Sequence, residues 1–369
     1  MNFHISPEQL ALQEAVRRYC AGALDGGLRR EVFERGDGFD AGFWAGLMAL
    51  GAGGLCIDEA HGGLGLGFVD LALVAEVLGE CAAPGPFLGH VLAASAIQRA
   101  GTPAQQARWL PKLASGECIA TIALAEAGER WAPSEWTLAL EGDRLTGSKT
   151  AVIGAAQAHL VVVGLRGGGL ALVEAQATTT NVRVLDAVDR TRDLGTLHFE
   201  GARAERLDAA SSAAEDFFAQ LGILLAADAF GGAQHCLRAT VDYAKSRVQF
   251  GVPIGSFQGM KHRLANLACA LEPARGLWWY AALAQDLRQD DRARLAALAK
   301  AHLSDLFNQT ARAAVELHGG IGFTWEHDLQ MWVKRAMFDF AFAGTPARHR
   351  RWAYAEEAGE APGPASSPG

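Results

Sequence analysis

Arg247, Gly251, Pro253 and Gly255 fall close together in Arg247-Val-Gln-Phe-Gly-Val-Pro-Ile-Gly-Ser-Phe-Gln258, a stretch set between two long helical patterns. Two glycines and a proline so spaced stop the preceding helix and fix a turn. Arg247 is then expected at a helix C-terminus, where its charge suits the dipole and its planar fork of donors is free for a phosphate. The same residues also describe an ordinary helix-to-helix connection, and the local pattern leaves both readings open. A second glycine run, His61-Gly-Gly-Leu-Gly-Leu-Gly67, invites comparison with a phosphate loop. No strand pattern precedes it, no Lys-Ser/Thr follows it and no β-α-β unit surrounds it, so a plain loop is expected. The six cysteines lack any C-x-x-C spacing and the eleven histidines are dispersed without H-E-x-x-H. No metal site is expected, and the cysteines read as reduced thiols of a cytoplasmic protein.

The elements that must position these residues have ample material. The chain has 369 residues, half of them apolar, enough for two or three domains. A formal charge of -8 argues against a nucleic-acid or anionic-membrane surface, while leaving room for a local basic pocket. Polar and charged residues interrupt Met1 to Leu12, so no signal peptide is expected. Ala41 to Ile57 and Cys81 to Gln98 are uncharged but broken by Gly or Pro, and neither is read as a membrane span.

Ser6-Pro-Glu-Gln9 is a capping box opening an amphipathic helix, and Thr102-Pro-Ala-Gln105 opens another that Pro111 helps to end. Between them, helical spacing from Asp70 to Leu78 predicts a helix that Gly79 stops. After Cys118 the period changes. Short β-prone runs at Ile119 to Leu124, Thr137 to Leu140, Leu160 to Leu165, Leu170 to Val173, Val182 to Leu185 and Thr196 to Phe199 predict a sandwich or barrel, with a hairpin turn at Glu141-Gly-Asp143. From Ser212 the helical period returns in four patterns: to Ser246; from Phe257 to Leu287 with a break near Pro273; from Asp290 to His318; and from Trp325 to Phe342. The expected α+β organisation is a helical N-terminal domain (1–118), a β domain (119–211), a four-helix bundle (212–352) and a Gly/Pro/Ser-rich disordered tail (353–369).

This order, together with Arg247-x-x-Phe-Gly-x-Pro-Ile-Gly-x-Phe-Gln258 and His318-Gly-Gly-Ile-Gly-Phe-Thr-Trp-Glu326, resembles the acyl-CoA dehydrogenase family of flavoproteins from about Phe3 to Arg351. Leu145-Thr-Gly-Ser-Lys149 and Trp44-x-x-Leu-x-x-Leu-Gly51 add weaker support. The resemblance implies FAD, an oligomer, and α,β-dehydrogenation of an acyl thioester on CoA or a carrier protein, with electrons passed on to an acceptor flavoprotein. In that chemistry a glutamate removes the α-proton while the β-hydride passes to the flavin. It further implies cofactor contacts at Arg247, Phe250, Gln258, Glu316, Gly319, Gly320 and Thr345. The first motif's Arg and Phe would reach the adenosine-diphosphate half of a neighbouring subunit's FAD. Glu316 departs from the family's Gln and would repel a phosphate unless it meets ribose or adenine.

The flavin-ring half departs further. The family's Thr-Glu-Pro turn reads Ala125-Glu-Ala127, Trp131 falls near a position that the family fills with a small hydroxyl residue, and Ala151 and Ile153 stand where Trp and Thr are usual. The family's catalytic Glu is replaced by Ala343, and the alternative position, Leu221, carries no carboxylate either. No catalytic residue is therefore assigned. Asp228, inside the apolar run Gly222 to Phe230, is the foremost substitute, either as a base with a raised pKa or as a structural carboxylate held by an arginine; Asp339 and Glu316 read as structural. Retention of the outward-facing nucleotide residues with loss of the chain's own ring contacts and base leads to the expectation of a partner subunit in a heteromeric acyl-CoA dehydrogenase. The alternatives are a self-sufficient flavoenzyme using Asp228 and a non-enzymatic acyl-CoA-binding relative.

Overall fold

The computed structural model describes residues 5–175, 179–208 and 212–358. Six helices come first: α1 (Pro7–Leu24), α2 (Leu28–Arg35), α3 (Ala41–Ala49), α4 (Phe68–Glu80), α5 (Phe87–Ala100) and α6 (Pro103–Ala114). Ser6 and Thr102 cap α1 and α6 reciprocally with Gln9 and Gln105, as their spacing predicts. Pro111 lies inside α6 and Gly79 inside α4, so neither ends its helix. Pro111 is tolerated because it sits on the exposed face, where the carbonyl it leaves unpaired meets water. Gly79 is required by packing. A Cβ there would come within 2.0 Å of the Asp228 carbonyl oxygen, and one at Gly231 within 1.9 Å of the Glu76 carbonyl oxygen.

Seven strands follow: β1 (Ala120–Ala123), β2 (Leu140–Glu141), β3 (Arg144–Ile153), β4 (Leu160–Leu165), β5 (Gly169–Glu174), β6 (Thr180–Leu185) and β7 (Leu194–Arg206). They form one mixed sheet in the order β1-β4-β5-β7-β3-β2, with β6 also on β7; only β1 and β4 pair in parallel. The Glu141-Gly-Asp143 turn joins β2 to β3 with Glu141 opposite Arg144. β3 has no counterpart among the expected runs, because Gly147, Ser148 and Lys149 dilute its β-forming character. Residues alternate along β4: Leu160 and Val162 enter the large core shared with the helices, while Val161 and Val163 enter a second core within the β domain.

The chain then forms α7 (Ser212–Ser246), a hairpin of β8 (Val248–Gln249) and β9 (Val252–Pro253), α8 (Gln258–Asp286), α9 (Arg292–His318), α10 (Leu329–Ala341) and α11 (Pro346–Ala358). α8 runs unbroken through Pro273, which is exposed, and α10 begins at Leu329 instead of Trp325. α11 is a fifth helix, and it carries residues 353–358 of the expected tail; 359–369 lie outside the described residues. α7 is long and apolar enough to cross a membrane, but 89% of its apolar window is packed inside the chain, as for a central core helix.

A buried ionic cluster joins the layers. Arg192, from the loop before β7, donates to Asp228 of α7 at 2.5 Å and to Asp339 of α10 at 3.0 Å. Arg335 of α10 donates to Asp189 at 3.0 Å and to the Ala83 carbonyl at 2.8 Å.

Candidate functional site

The end of α7 is where the expected nucleotide contacts begin. Arg247 follows the last residue of α7, its amide donating to the Tyr243 carbonyl at 2.8 Å, and its side chain is exposed. Two residues turn the β8–β9 hairpin, Phe250 and Gly251, with φ of 53° and 81°. Positive φ at both central positions is the geometry of a type I′ turn, which Asn-Gly fills without strain. Phenylalanine fills the first position here and is 93% exposed. Its ring meets that of Phe257 edge-on at 6.2 Å, next to Gln258 at the start of α8.

The second group stands at the end of α9. Gly319 has φ of 70°, and neither Gly319 nor Gly320 has any atom within 4 Å of where a Cβ would lie, so both backbones are open to an approaching group. Tyr243 stacks on His318 at 4.4 Å, which brings the ends of α7 and α9 together. Glu316 pairs with Arg263 of α8 at 2.7 Å. That pairing offsets the repulsion expected of Glu316 toward a phosphate, although both groups are exposed and the pair is weak. Arg247, Phe250, Gln258, Glu316, Gly319 and Gly320 thus share one end of the bundle, with Phe323 also largely exposed there.

Thr345 stands apart from them. It is in the α10–α11 turn, whose Gly344 carbonyl accepts from Lys300 near the start of α9. The 16 residues between Lys300 and Glu316 set that turn about 24 Å down the helix from the nucleotide group.

Of the expected flavin-ring positions, Ala343 and Ile153 are buried and Ala151 is half-buried. Ala343 is 1% exposed with φ of 59°, and its carbonyl lies 3.0 Å from His349 Nε2. Trp131 packs edge-on against Phe342 at 4.9 Å, and Phe342 stacks on Phe338 at 4.7 Å. Arg348 donates to the Glu129 carbonyl and to Glu135, tying α11 to the loop that carries Trp131. Ala151 lies in the bulge of β3 with φ of 51°, and Ile153 is buried. Glu126 has a structural role, accepting from Lys149 at 2.7 Å and from the amides of Thr137 and Leu138. Burial pushes its carboxyl up, but the Lys149 and Thr137 hydrogen bonds outweigh that and hold it at about 2.

The substitute bases are likewise engaged. Asp228 is 1% exposed and held by Arg192, the structural alternative foreseen for it. Asp339 shares Arg192; burial and then the neighbouring Asp228 push its carboxyl well above the usual carboxylate range. The glycine run His61 to Gly67 is a loop, as expected. The amides of residues 62–67 are all taken, by Glu59, Asp58, Gly54, Ile57, Leu55 and Asp70, which leaves none for a phosphate. Sequence reasoning missed Arg263, Trp131 in its packed role, and Arg348, all of which act through contacts remote in the chain.

Family models match the same regions: acyl-CoA dehydrogenase, N-terminal domain, over residues 6–117, and acyl-CoA dehydrogenase, C-terminal domain, over 212–356. Acyl-CoA dehydrogenase IpdE2 of Mycobacterium tuberculosis is 34% identical over 330 residues, covering 89% of this chain and 91% of that protein. Acyl-CoA dehydrogenase FadE34 of the same organism is 31% identical over 94% of this chain, which spans 47% of FadE34. A solved structure described as the Tcur3481-Tcur3483 steroid ACAD G363A variant superposes with a TM-score of 0.89 at 28% identity, over 97% of this chain and 100% of that one. Butyryl-CoA dehydrogenase from Megasphaera elsdenii, 22% identical with a TM-score of 0.87 over 97% and 100% of the two chains, shares the fold.

Proposed function

The chain belongs to the acyl-CoA dehydrogenase family, and on that premise we propose that it is the partner subunit of a heteromeric, FAD-dependent acyl-CoA dehydrogenase. It lends nucleotide contacts to FAD whose ring contacts and catalytic base belong to a second, related chain. The observation that carries this reading is Phe250, 93% exposed and held at positive φ in a turn that asparagine would fill without strain. An exposed apolar ring in a strained backbone marks a contact made outside the chain.

The residues present fit one end of the cofactor and not the other. Arg247 would bind the diphosphate through charged hydrogen bonds, Phe250 would cover the adenosine, and the open backbone at Gly319 and Gly320 would admit it closely. At the ring end, Ala151, Ile153 and Ala343 offer no side-chain donor or base, and the Trp131–Phe342 contact lies beside Ala343. When bound, FAD supplies the acceptor for the β-hydride of the acyl thioester. The α-proton must go to a carboxylate of the other chain, because Ala343 takes none and Asp228 is already paired with Arg192. The name Tcur3481-Tcur3483 joins two designations, which accords with a two-chain assembly.

Flavin content tests the proposal. Purified alone, the chain is expected to hold little FAD and to lack dehydrogenase activity; co-expressed with a related chain encoded nearby, it should give one FAD per pair. A yellow, active homo-oligomer of this chain alone would overturn the reading. Arg247→Ala should weaken FAD retention in the complex by about 1.5–3 kcal/mol, read from flavin release on dilution.

A further inference from the structure

Cys20 and Cys81 play no part in the nucleotide site. α1 runs along α4 in the same direction, and three side chains fix its register: Gln9 donates to Asp70 at 3.0 Å, Gln13 to the Leu73 carbonyl at 3.2 Å and Arg17 to Glu80 at 3.2 Å. The next turn of α1 on that face presents Cys20, and the residue that caps α4 after Glu80 is Cys81. That register brings the two thiols within hydrogen-bonding reach of each other. Cys20 is buried and Cys81 is half-buried, so only one of the pair meets solvent.

Their surroundings separate them. Arg29 donates to the Cys81 carbonyl at 2.6 Å, and Arg17 pairs with the adjacent Glu80. The Cys20 hydrogen bond, opposed by burial and Glu80 and helped by the Arg29 and Arg17 guanidiniums, lowers the Cys81 thiol below its ordinary range. The Cys20 thiol is pushed up, by its bond to Cys81 and by burial. Cys118, by contrast, is pushed up to about 11 by burial, and no other cysteine is described in contact with a second thiol.

We propose that Cys20 and Cys81 form a peroxide-oxidisable dithiol, with Cys81 as the attacking sulfur and Cys20 as the resolving one. The Cys81 sulfur attacks one oxygen of hydrogen peroxide; the S–O bond forms as the O–O bond breaks, and the departing hydroxide leaves as water with the Cys81 proton. The Cys20 sulfur then displaces hydroxide from the Cys81 sulfenic acid, and that hydroxide leaves as a second water with the Cys20 proton. Two thiols are oxidised to one disulfide while one peroxide is reduced to two waters. The product ties α1 to the end of α4.

The full chain, reduced and then freed of reductant, is exposed to hydrogen peroxide, blocked with N-ethylmaleimide and mapped by mass spectrometry without reduction. The expected product is a Cys20–Cys81 cross-linked peptide, lighter by two hydrogens than its two reduced parts. Before oxidation Cys81 should alkylate at least ~10-fold faster than Cys118. Cys81→Ser should abolish the cross-link and leave Cys20 unoxidised, whereas Cys20→Ala should leave a Cys81 sulfenic acid that dimedone traps. If Cys20→Ala fails to fold, the map of the unmodified chain decides alone. A cross-link joining other cysteines would overturn the proposal. So would free Cys20 and Cys81 at peroxide levels that oxidise the exposed Cys269.

Discussion

Phe250 holds its place in the β8–β9 turn against two local penalties, a left-handed backbone and nearly full exposure of an aromatic ring. Phe250→Asn removes both, and is expected to stabilise the isolated chain by about 0.5–1 kcal/mol in urea unfolding while lowering FAD retention by the complex. A loss of stability, or unchanged flavin release, would count against the outward role of the ring. The resemblance to the family singled out Arg247, Phe250, Gly319 and Gly320 as cofactor contacts, because a motif survives as a string of residue types, whereas their local spacing alone also described an ordinary turn. Their consequences were not legible in it. That Arg263 offsets Glu316, that Trp131 meets Phe342, and that Arg192 holds Asp228 all depend on residues 36 to 211 positions apart in the chain. Such pairings follow from the fold, and no local pattern encodes them.

At the scale of elements, α1, α4, α6 and α7 to α10 followed from capping residues and periodicity, α2, α3, α5, α11 and β3 were not foreseen, and the three misplaced breaks share a physical cause. Pro111, Pro273 and Gly79 were read as breaks because local propensity disfavours them, yet exposure excuses the two prolines and close helix contact requires the glycine. The α10–α11 turn carries a further surprise. Lys300 is buried there, and its amine donates to the Phe340 carbonyl at 3.1 Å and to that of Gly344. Burial lowers the amine from its ordinary 10.5 to about 7, with Asp339 and Asp305 opposing the shift. His349 also faces it from α11 and is kept neutral by burial and by Lys300 itself. Between about pH 7 and 10.5 the unfolded chain holds a proton at this lysine that the folded chain lacks, so unfolding takes one up and stability rises with pH. Lys300→Met should flatten that rise, which has a limit of about 1.4 kcal/mol per pH unit, in urea midpoints measured across the window. An unchanged slope would reject the assignment.

The molecule as a whole is held by contacts that cross its layers. Asp189, Asp228 and Asp339 face Arg192 and Arg335, and the crowding of three carboxylates around two guanidiniums pushes the Asp339 carboxyl well up. Asp228→Asn is therefore expected to cost about 3 kcal/mol in denaturant unfolding. It should leave the shape of the pH–kcat profile of the two-chain complex unchanged, whereas loss of one limb of that profile would restore Asp228 as a base. α4 and α7 meet a few residues away with backbone against backbone at Gly79 and Gly231. A joint of that kind has no clearance: neither helix can slide or roll without driving peptide into peptide, so the N-terminal helices and the bundle form a stiff frame. In the proposed two-chain assembly, adjustment between the unlike chains would then fall to the parts that project from the frame. The two-residue tip at Phe250 and Gly251 is such a part, which makes the choice of partner a property of a small, replaceable surface instead of the scaffold that carries it.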